Sequence, residues 1–289
     1  MDGQQRLNAV MEFYDNSFKL TGLETWKSLN GLTYRQCPPR IKSGLDRRRI
    51  SANVLLAESA STAEDVNFIR RTVFERLNTG GTELNSQEFR NSLYSGPFND
   101  LIVQLAGNPL FNEIWGIPSY ESNYRKDEGY ISAELAANRL FSRMGDCEII
   151  LRFFALRRPT TIKGSMKAMM DRCMESNRDI NPEQVHEFNV AFTSALELSY
   201  SIFGDQTFKT RDESGKTRHS QPLFDAVMVA ADSYTRERVS LIRNRGKIKK
   251  ALQESLKDLD TYEIIVGKPN TAASVEARIA VMEEIFSHY

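Results

Sequence analysis

The sequence has few of the residues that build disulfide-linked or metal-held scaffolds. Only three cysteines and three histidines occur among 289 residues. Cys37, Cys147 and Cys173 are odd in number and widely spaced, which predicts free thiols in a reducing compartment. The histidines, at positions 186, 219 and 288, form no H-E-x-x-H or HNH pattern. A disulfide framework, a paired zinc site and a histidine-metal nuclease are therefore excluded.

Net charge and long hydrophobic runs are also lacking. The 38 basic and 38 acidic residues cancel, which argues against binding of nucleic acid by bulk charge and still allows a local patch. No apolar run approaches the ~20 residues that cross a bilayer, because Arg152 interrupts the longest one, at 149–156. The sequence shows no Walker loop or nucleophile elbow, and we expect no signal peptide. We expect a cytoplasmic protein with no membrane partner.

The first pattern that carries chemistry is Asp2-Gly3-Gln4-Gln5-Arg6, at the start of the chain. Gly3 allows a tight turn, and the spacing predicts a helix over 4–14 with Leu7, Val10, Met11 and Tyr14 on one face. The free amides of a helix start suit a phosphate, and Arg6 adds a charge that can bind in bidentate fashion. A polar cap on a core helix is the alternative interpretation.

The second pattern is the run from Phe74 to Asn91, F-E-R-L-N-T-G-G-T-E-L-N-S-Q-E-F-R-N. Its loop at 78–81 lies between two predicted helices and offers backbone amides beside small side chains, as close approach of a phosphate requires. The segment from Asn85 to Glu88 is a capping box for the next helix. The loop is equally typical of a helix C-cap and turn, and Glu88 of a plain capping partner for Asn85.

Together, the two boxes resemble the N-terminal domain of GmrSD-type modification-dependent restriction enzymes, a family related to the ParB and sulfiredoxin-like fold. In that family an Asp-Gly-Gln-Gln-Arg box pairs with an Arg-Leu-Asn-Thr-Gly-Gly box and an Asn-x-x-Glu-x-Arg-Asn helix start. The resemblance continues through 94–99, 147–156 and 223–226. Family members have several dozen residues before the first box, and nuclease members often continue into an HNH domain. The sequence shows neither, so we expect a partial domain that a nuclease subunit or the missing N-terminal segment completes.

The resemblance also implies a site. In ParB-like relatives the corresponding boxes hold the triphosphate of a nucleotide, here a nucleoside triphosphate with Mg²⁺. Asp2 is then a catalytic or metal-binding carboxylate, and Glu88 a metal or water ligand. The catalytic candidates are Asp2, Gln5, Arg6 and Glu88. The candidates for nucleotide contact are Gly3, Gln4, Asn78, Thr79, Gly80, Gly81, Arg90 and Asn91, and no metal ligand set is assigned. The two boxes are expected to form the walls of one cleft.

The rest of the chain is predicted to be mainly helical. Short strands are expected at 17–20 and 50–57. Helices are expected at 61–77, 85–95, 98–105, 131–141, 146–156, 165–174, 182–203, 223–233, 246–259 and 271–287. The stretch 115–130 lacks an apolar period and marks a domain boundary. The fold class is therefore α+β, mainly α: a remnant of a ParB/sulfiredoxin-like α/β domain at 1–118, followed by a helical domain at 119–289.

The sequence also contains two runs of basic residues. One comprises Arg35, Arg40, Lys42, Arg47, Arg48 and Arg49, and the other Arg243, Arg245, Lys247, Lys249 and Lys250. Such runs can contact DNA phosphates, although a charge run is more often a solvated face. Two functions stay open: a nucleotide-binding, NTP-hydrolysing module of a modification-dependent restriction system that acts on DNA, or a non-catalytic DNA-binding or protein-interaction scaffold derived from that family.

Overall fold

The computed structural model describes residues 4–49, 84–125, 129–211, 216–267 and 270–289. They belong to two compact units, Met1–Glu83 and Leu84–Tyr289. Most of the described residues are helical, and the strands among them are two or three residues long. The predicted α+β, mainly α class is therefore confirmed. The domain boundary predicted at 118/119 falls inside the second unit.

The first unit contains two helices among its described residues, α1 at Gln4–Tyr14 and α2 at Pro39–Asp46, with 3₁₀ turns at Lys27–Leu29 and Tyr34–Gln36. The helix predicted over 4–14 is confirmed. Its apolar side chains Leu7, Val10 and Met11 are 46%, 44% and 63% exposed. Phe13 is the buried one, and its ring lies 6.0 Å from that of Tyr34.

The strand predicted at 17–20 is wrong. After α1, Asn16 adopts a left-handed backbone conformation (φ 63°) and the amide of Ser17 bonds back to the carbonyl of Glu12 at 2.9 Å. Within 17–20, Leu20 alone forms backbone hydrogen bonds with another described segment. Its amide donates to the carbonyl of Leu32, and its carbonyl accepts from the amide of Gly31. A single paired residue does not make a strand, because a ladder needs several successive bonds. The strand predicted at 50–57 and the helix at 61–77 lie outside the described residues.

The described part of the second unit is built from helices of four to 22 residues and two small antiparallel pairs of strands. Its first helices are α3 Ser86–Leu93, α4 Pro97–Ala106, α5 Pro109–Trp115, α6 Tyr120–Asn123, α7 Ala133–Ala137, α8 Arg139–Ser142, α9 Gly145–Leu156 and α10 Met166–Asn177. The remaining helices are α11 Pro182–Phe203, α12 Gln221–Ser233, α13 Arg238–Arg243, α14 Arg245–Ser255, α15 Leu259–Val266 and α16 Ala272–Ser287. Strands β1 (Tyr124–Arg125) and β2 (Tyr130–Ile131) pair antiparallel, as do β3 (Lys209–Arg211) and β4 (Thr217–His219).

Helices α9 and α12 form the centre of the second unit. Every residue of α12 from Leu223 to Ala231 is buried, and so are ten residues of α9. A helix that is apolar on all sides must be surrounded by other helices. Accordingly, α12 packs against α9, α11 and α16, and α9 also packs against α4 and α10. The methionines of α10 at 166, 169, 170 and 174 are buried in this core, as predicted, and so is Cys147.

Local start and stop signals are confirmed where they are strong. Asn181 caps α11 through a reciprocal pair of bonds with Gln184, Pro182 occupies the first turn, and the helix ends at Gly204. The helix predicted at 131–141 is instead divided. Asn138 is extended (φ −69°, ψ 123°), and its side chain accepts from the amides of Leu140 and Phe141. It therefore starts a new helix, α8, rather than continuing α7.

Similarly, the helix predicted at 246–259 ends at Ser255, and Asp258 caps the separate helix α15 by accepting from the amide of Thr261 at 2.9 Å. Among the described residues, no helix is long and apolar enough to cross a membrane.

Candidate functional site

The two predicted boxes are described only in part. Asp2, Gly3 and the loop residues Asn78, Thr79, Gly80 and Gly81 lie outside the described residues. The first turn of α1 is formed by the backbone of Gln4, Gln5 and Arg6, and this turn contains no acidic residue. The expected cleft between the boxes therefore stays a prediction. Glu88, Arg90 and Asn91 are fully described, on α3.

The start of α3 is held by the predicted capping box. The Asn85 side-chain oxygen accepts from the amides of Gln87 and Glu88 at 2.8 and 2.9 Å. In return, the Glu88 carboxylate accepts from the amide of Asn85 at 2.7 Å. The amide of Asn85's own side chain donates to the carbonyl of Arg143 at 2.7 Å. Two of the first amides of α3 are therefore already satisfied by Asn85 and are not open to a phosphate.

Glu88 has a second partner besides this cap. Its Oε2, the atom that accepts from Asn85, lies 3.4 Å from Nη2 of Arg143, and its side chain is 14% exposed. The geometry thus supports the capping alternative for Glu88. Among the described residues, no group of three or more His, Cys, Asp or Glu side chains is placed to hold a metal ion.

Arg90 is the most constrained of the predicted site residues, with a side chain only 1% exposed. Its Nε donates to Oδ1 of Asp171 at 2.7 Å, and its Nη1 lies 3.6 Å from Oε2 of Glu148. Nη1 also donates to the side-chain oxygen of Gln87 at 3.3 Å. Two carboxylates therefore face one guanidinium, and a phosphate at this position would meet a local excess of negative charge.

Two buried donors beside these contacts have no hydrogen-bond acceptor within the described ranges: Nη2 of Arg90 and Nε2 of Gln87. Gln87, Glu148 and Asp171 are not among the site residues predicted from the sequence. Helical spacing could have identified Gln87, because Gln87, Arg90 and the buried Leu93 follow one another at intervals of three on one face of α3. Asn91 is less constrained. Its side-chain oxygen accepts from Asn99 at 2.8 Å, which ties α3 to α4.

A second buried ionic cluster lies at the centre of the second unit. Arg152 on α9 makes a two-point pair with Asp225 on α12, with Nε 2.9 Å from Oδ1 and Nη2 bonded to Oδ2. Arg278 on α16 lies 3.4 Å from the same Oδ2. Asn270 adds its side-chain oxygen, 3.4 Å from Nη2 of Arg152 and 3.5 Å from Nη1 of Arg278.

Burial and attraction act in opposite senses on these two arginines. Burial lowers the pKa of Arg152, but attraction to the adjacent Asp225 carboxylate raises it by more, so its pKa lies above the ordinary value. For Arg278 the loss of solvation prevails, and its pKa lies below the ordinary value. The side chains of Arg152, Asp225 and Arg278 are exposed by 4% or less, so the cluster is closed to a ligand. It acts as an interlock, a buried ionic link that joins α9, α12 and α16.

Other titratable groups in the second unit have structural partners. The Tyr120 hydroxyl donates to Oδ2 of Asp146 at 2.5 Å, and burial raises the pKa of Asp146 although this bond opposes the shift. Burial likewise raises the pKa of the Cys173 thiol to about 12, and it raises the pKa of Cys147. Neither thiol is therefore a reactive thiolate. His219 stacks on Trp115 at 5.0 Å and donates Nε2–H to the carbonyl of Ile114 at 2.6 Å.

Both basic runs are largely exposed. In the first, Arg35, Arg40, Arg47, Arg48 and Arg49 are exposed and Lys42 is half-buried, with Nζ 5.8 Å from the centre of the Tyr34 ring. In the second, Arg243, Arg245, Lys247 and Lys250 are exposed and Lys249 is half-buried. Lys250 pairs with Glu254 at 3.8 Å. The runs are therefore solvent-facing cationic surfaces.

Comparison with known proteins identifies the first part of the chain. Residues 1–95 match the family model described as GmrSD restriction endonuclease, N-terminal domain. This stretch contains both boxes, so the resemblance inferred from them is confirmed for residues 1–95. The match ends before most of the second unit, where the further resemblance stays a prediction. No curated protein and no solved structure gives a significant match.

Proposed function

We propose that this protein is a nucleotide-binding module of a DNA restriction system and that it hydrolyses the bound nucleoside triphosphate. The observation that carries the proposal is the GmrSD-type match over residues 1–95, which contains both boxes. Local structure supports the first box, since α1 begins at Gln4 and its first turn has no acidic side chain. The positive end of the helix dipole is therefore available to a phosphate.

We assign the phosphate contacts to the first box and the glycine loop. Arg6 supplies charge, while the backbone of Gly3, Gln4 and the loop 78–81 supplies amide donors. Arg90, Glu88 and Asn91 belong to the frame that holds α3, since each is bonded to another part of the second unit. In this assignment the first box and the glycine loop remain the phosphate site. The carboxylates beside Arg90 are then its structural partners.

The reaction would be hydrolysis of a phosphoanhydride. Water attacks the terminal phosphorus, the bond from that phosphorus to the bridging oxygen breaks, and the nucleoside diphosphate leaves with inorganic phosphate. Asp2 would accept a proton from the water or share in holding Mg²⁺, which commonly arrives coordinated to the phosphates and retains several waters. Positioning and charge neutralisation supply most of the rate in such reactions.

The decisive experiment is titration calorimetry of the folded chain with ATP, GTP, CTP and UTP in the presence of Mg²⁺. Arg6→Ala should weaken binding of the preferred nucleotide by about tenfold to a hundredfold, as expected for loss of a charge-assisted contact. Arg158→Ala is the matched control, because Arg158 is exposed and lies outside both boxes. Absence of binding to all four nucleotides, with the chain well folded, would overturn the proposal.

A scaffold without turnover is the second candidate function. Its support is specific: the carboxylate of Glu88, the predicted metal or water ligand on α3, is engaged with Asn85 and Arg143. Phosphate release measured in parallel separates the two candidates. Binding with release supports the enzyme, whereas binding without release, unchanged by Asp2→Asn, supports the scaffold.

A further inference from the structure

The helical unit carries a cationic surface that the nucleotide proposal does not use. It lies where α13 and α14 meet, within residues 236–250, which contain seven basic residues and one acidic residue. Two of the cations have carboxylate partners: Arg238 pairs with Glu197 at 3.3 Å and Lys250 with Glu254 at 3.8 Å. The other five, Arg236, Arg243, Arg245, Lys247 and Lys249, form no ion pair within the part of the chain that the structure describes.

The arrangement of these five cations is unfavourable to the isolated protein. Arg245 and Lys247 occupy the first turn of α14, where the helix dipole is positive, and no acidic residue compensates them there. Cations at this end of a helix oppose the dipole, and neighbouring like charges repel one another. A bound polyanion would remove both penalties. Gly246, between the two cations, has nothing within 4 Å of the position of a Cβ atom, so the backbone there is open to close approach.

The chemistry of the surface favours one class of polyanion. A membrane surface would need an apolar face to insert, but Ile248 and Leu252 of α14 are buried in the core. Val239, 71% exposed, is the single large apolar side chain that residues 236–250 expose, and one side chain does not make such a face. A single-stranded nucleic acid would need aromatic rings for stacking, and residues 236–250 contain none. Arg and Lys side chains with no aromatic ring and no apolar face beside them suit a regular array of phosphates.

We infer that the α13–α14 surface, defined by Arg236, Arg243, Arg245, Lys247 and Lys249, binds the phosphate backbone of duplex DNA without reading its sequence. The contacts are those of point charges and guanidinium groups on phosphate oxygens, so affinity depends steeply on salt. The inference uses residues of the second unit outside the family match. It is therefore independent of the nucleotide site, and nucleotide titrations and DNA titrations can fail separately.

The test is fluorescence anisotropy of the full chain with a short labelled duplex, between about 50 and 200 mM salt. We expect Arg243→Gln/Arg245→Gln/Lys247→Gln to weaken binding to unrelated duplex sequences alike. The slope of log affinity against log salt should fall by nearly one unit per lost contact, about three in total. The charge-conserving Arg243→Lys/Arg245→Lys should keep both affinity and slope close to those of the unmodified chain.

The control is Arg158→Gln/Lys163→Gln/Lys167→Gln, which removes three exposed cations from another part of the same unit. It should leave binding almost unchanged, and circular dichroism should show equal folding of all variants. An equal loss with the control, or an unchanged slope with the α13–α14 variant, would overturn the inference. So would tighter binding to single-stranded DNA or to anionic phosphatidylserine vesicles, or no binding of the unmodified chain at about 50 mM salt.

Discussion

Arg90 and Asp171 are 81 positions apart in the sequence and 2.7 Å apart in the structure, joined by a hydrogen bond from Nε to Oδ1. The pair links α3, which follows the glycine loop, to α10, which lies in the core of the helical unit. The guanidinium also lies 3.6 Å from Glu148 on α9. The helix that carries the second half of the GmrSD-type box is therefore anchored by a buried charge.

This anchoring predicts a stability effect for Arg90→Ala. Removal of the guanidinium takes a buried cation away from the Asp171 and Glu148 carboxylates. These are 18% and 29% exposed, so solvent compensates them in part, and the loss should be about 1–3 kcal/mol. Urea denaturation should show this loss in the free energy of unfolding. Arg158→Ala, at an exposed position, should change stability by less than about 0.5 kcal/mol. A stable Arg90→Ala protein with impaired nucleotide binding would instead support direct phosphate contact by Arg90.

The Arg152, Asp225 and Arg278 cluster predicts a larger defect for Asp225→Asn. This change removes the anion that neutralises two buried arginines, so unfolding should become easier by at least about 3–5 kcal/mol. Asp232→Asn offers a matched contrast, because Asp232 accepts from Arg157 at 2.6 Å but is 17% exposed. Its effect should be smaller, since solvent screens the pair. Equal midpoints for the two variants in urea would contradict the interlock.

The bond from Tyr120 to Asp146 predicts a pH-dependent effect of Tyr120→Phe. Burial holds the pKa of Asp146 above its unfolded value of 3.8, so this carboxyl lowers stability as the pH rises through the interval between the two values. The Tyr120 hydroxyl opposes that shift by bonding the charged form. Tyr120→Phe should therefore destabilise the fold by about 1.5–3 kcal/mol at neutral pH and by less at pH values below 3.8. Unfolding free energies measured at both pH values test this; an equal loss at both would contradict it.

His219 predicts a pH dependence of the opposite sign. Partial burial against Trp115 lowers its pKa from 6.5, although the bond to the Ile114 carbonyl opposes this shift. The unfolded chain therefore binds more protons than the folded one just below pH 6.5, and the fold loses stability as the pH falls through that range. His219→Gln should make the melting temperature less sensitive to pH there. An unchanged pH profile would show that His219 does not contribute.

The local features of this protein were predictable because their causes are local. The cap at Asn85, the proline start and glycine stop of α11, and the beginning of α1 at Gln4 depend on backbone groups within a few residues. The two boxes identified the family that residues 1–95 match, because a short motif does not depend on how the chain folds around it. The buried methionines of α10 followed from helical spacing alone.

Tertiary structure decided which polar side chains are bonded inside the protein. Arg90 has the residue type of a phosphate ligand, but packing of α3 against α10 gives it carboxylate partners that no short window of sequence contains. Arg152 similarly interrupts an apolar run, and its buried partner Asp225 lies 73 positions away on another helix. The sequence by itself determined most of the helices, their caps and the two boxes. Only the tertiary structure decided the charge pairing, because that depends on distances set by long-range packing.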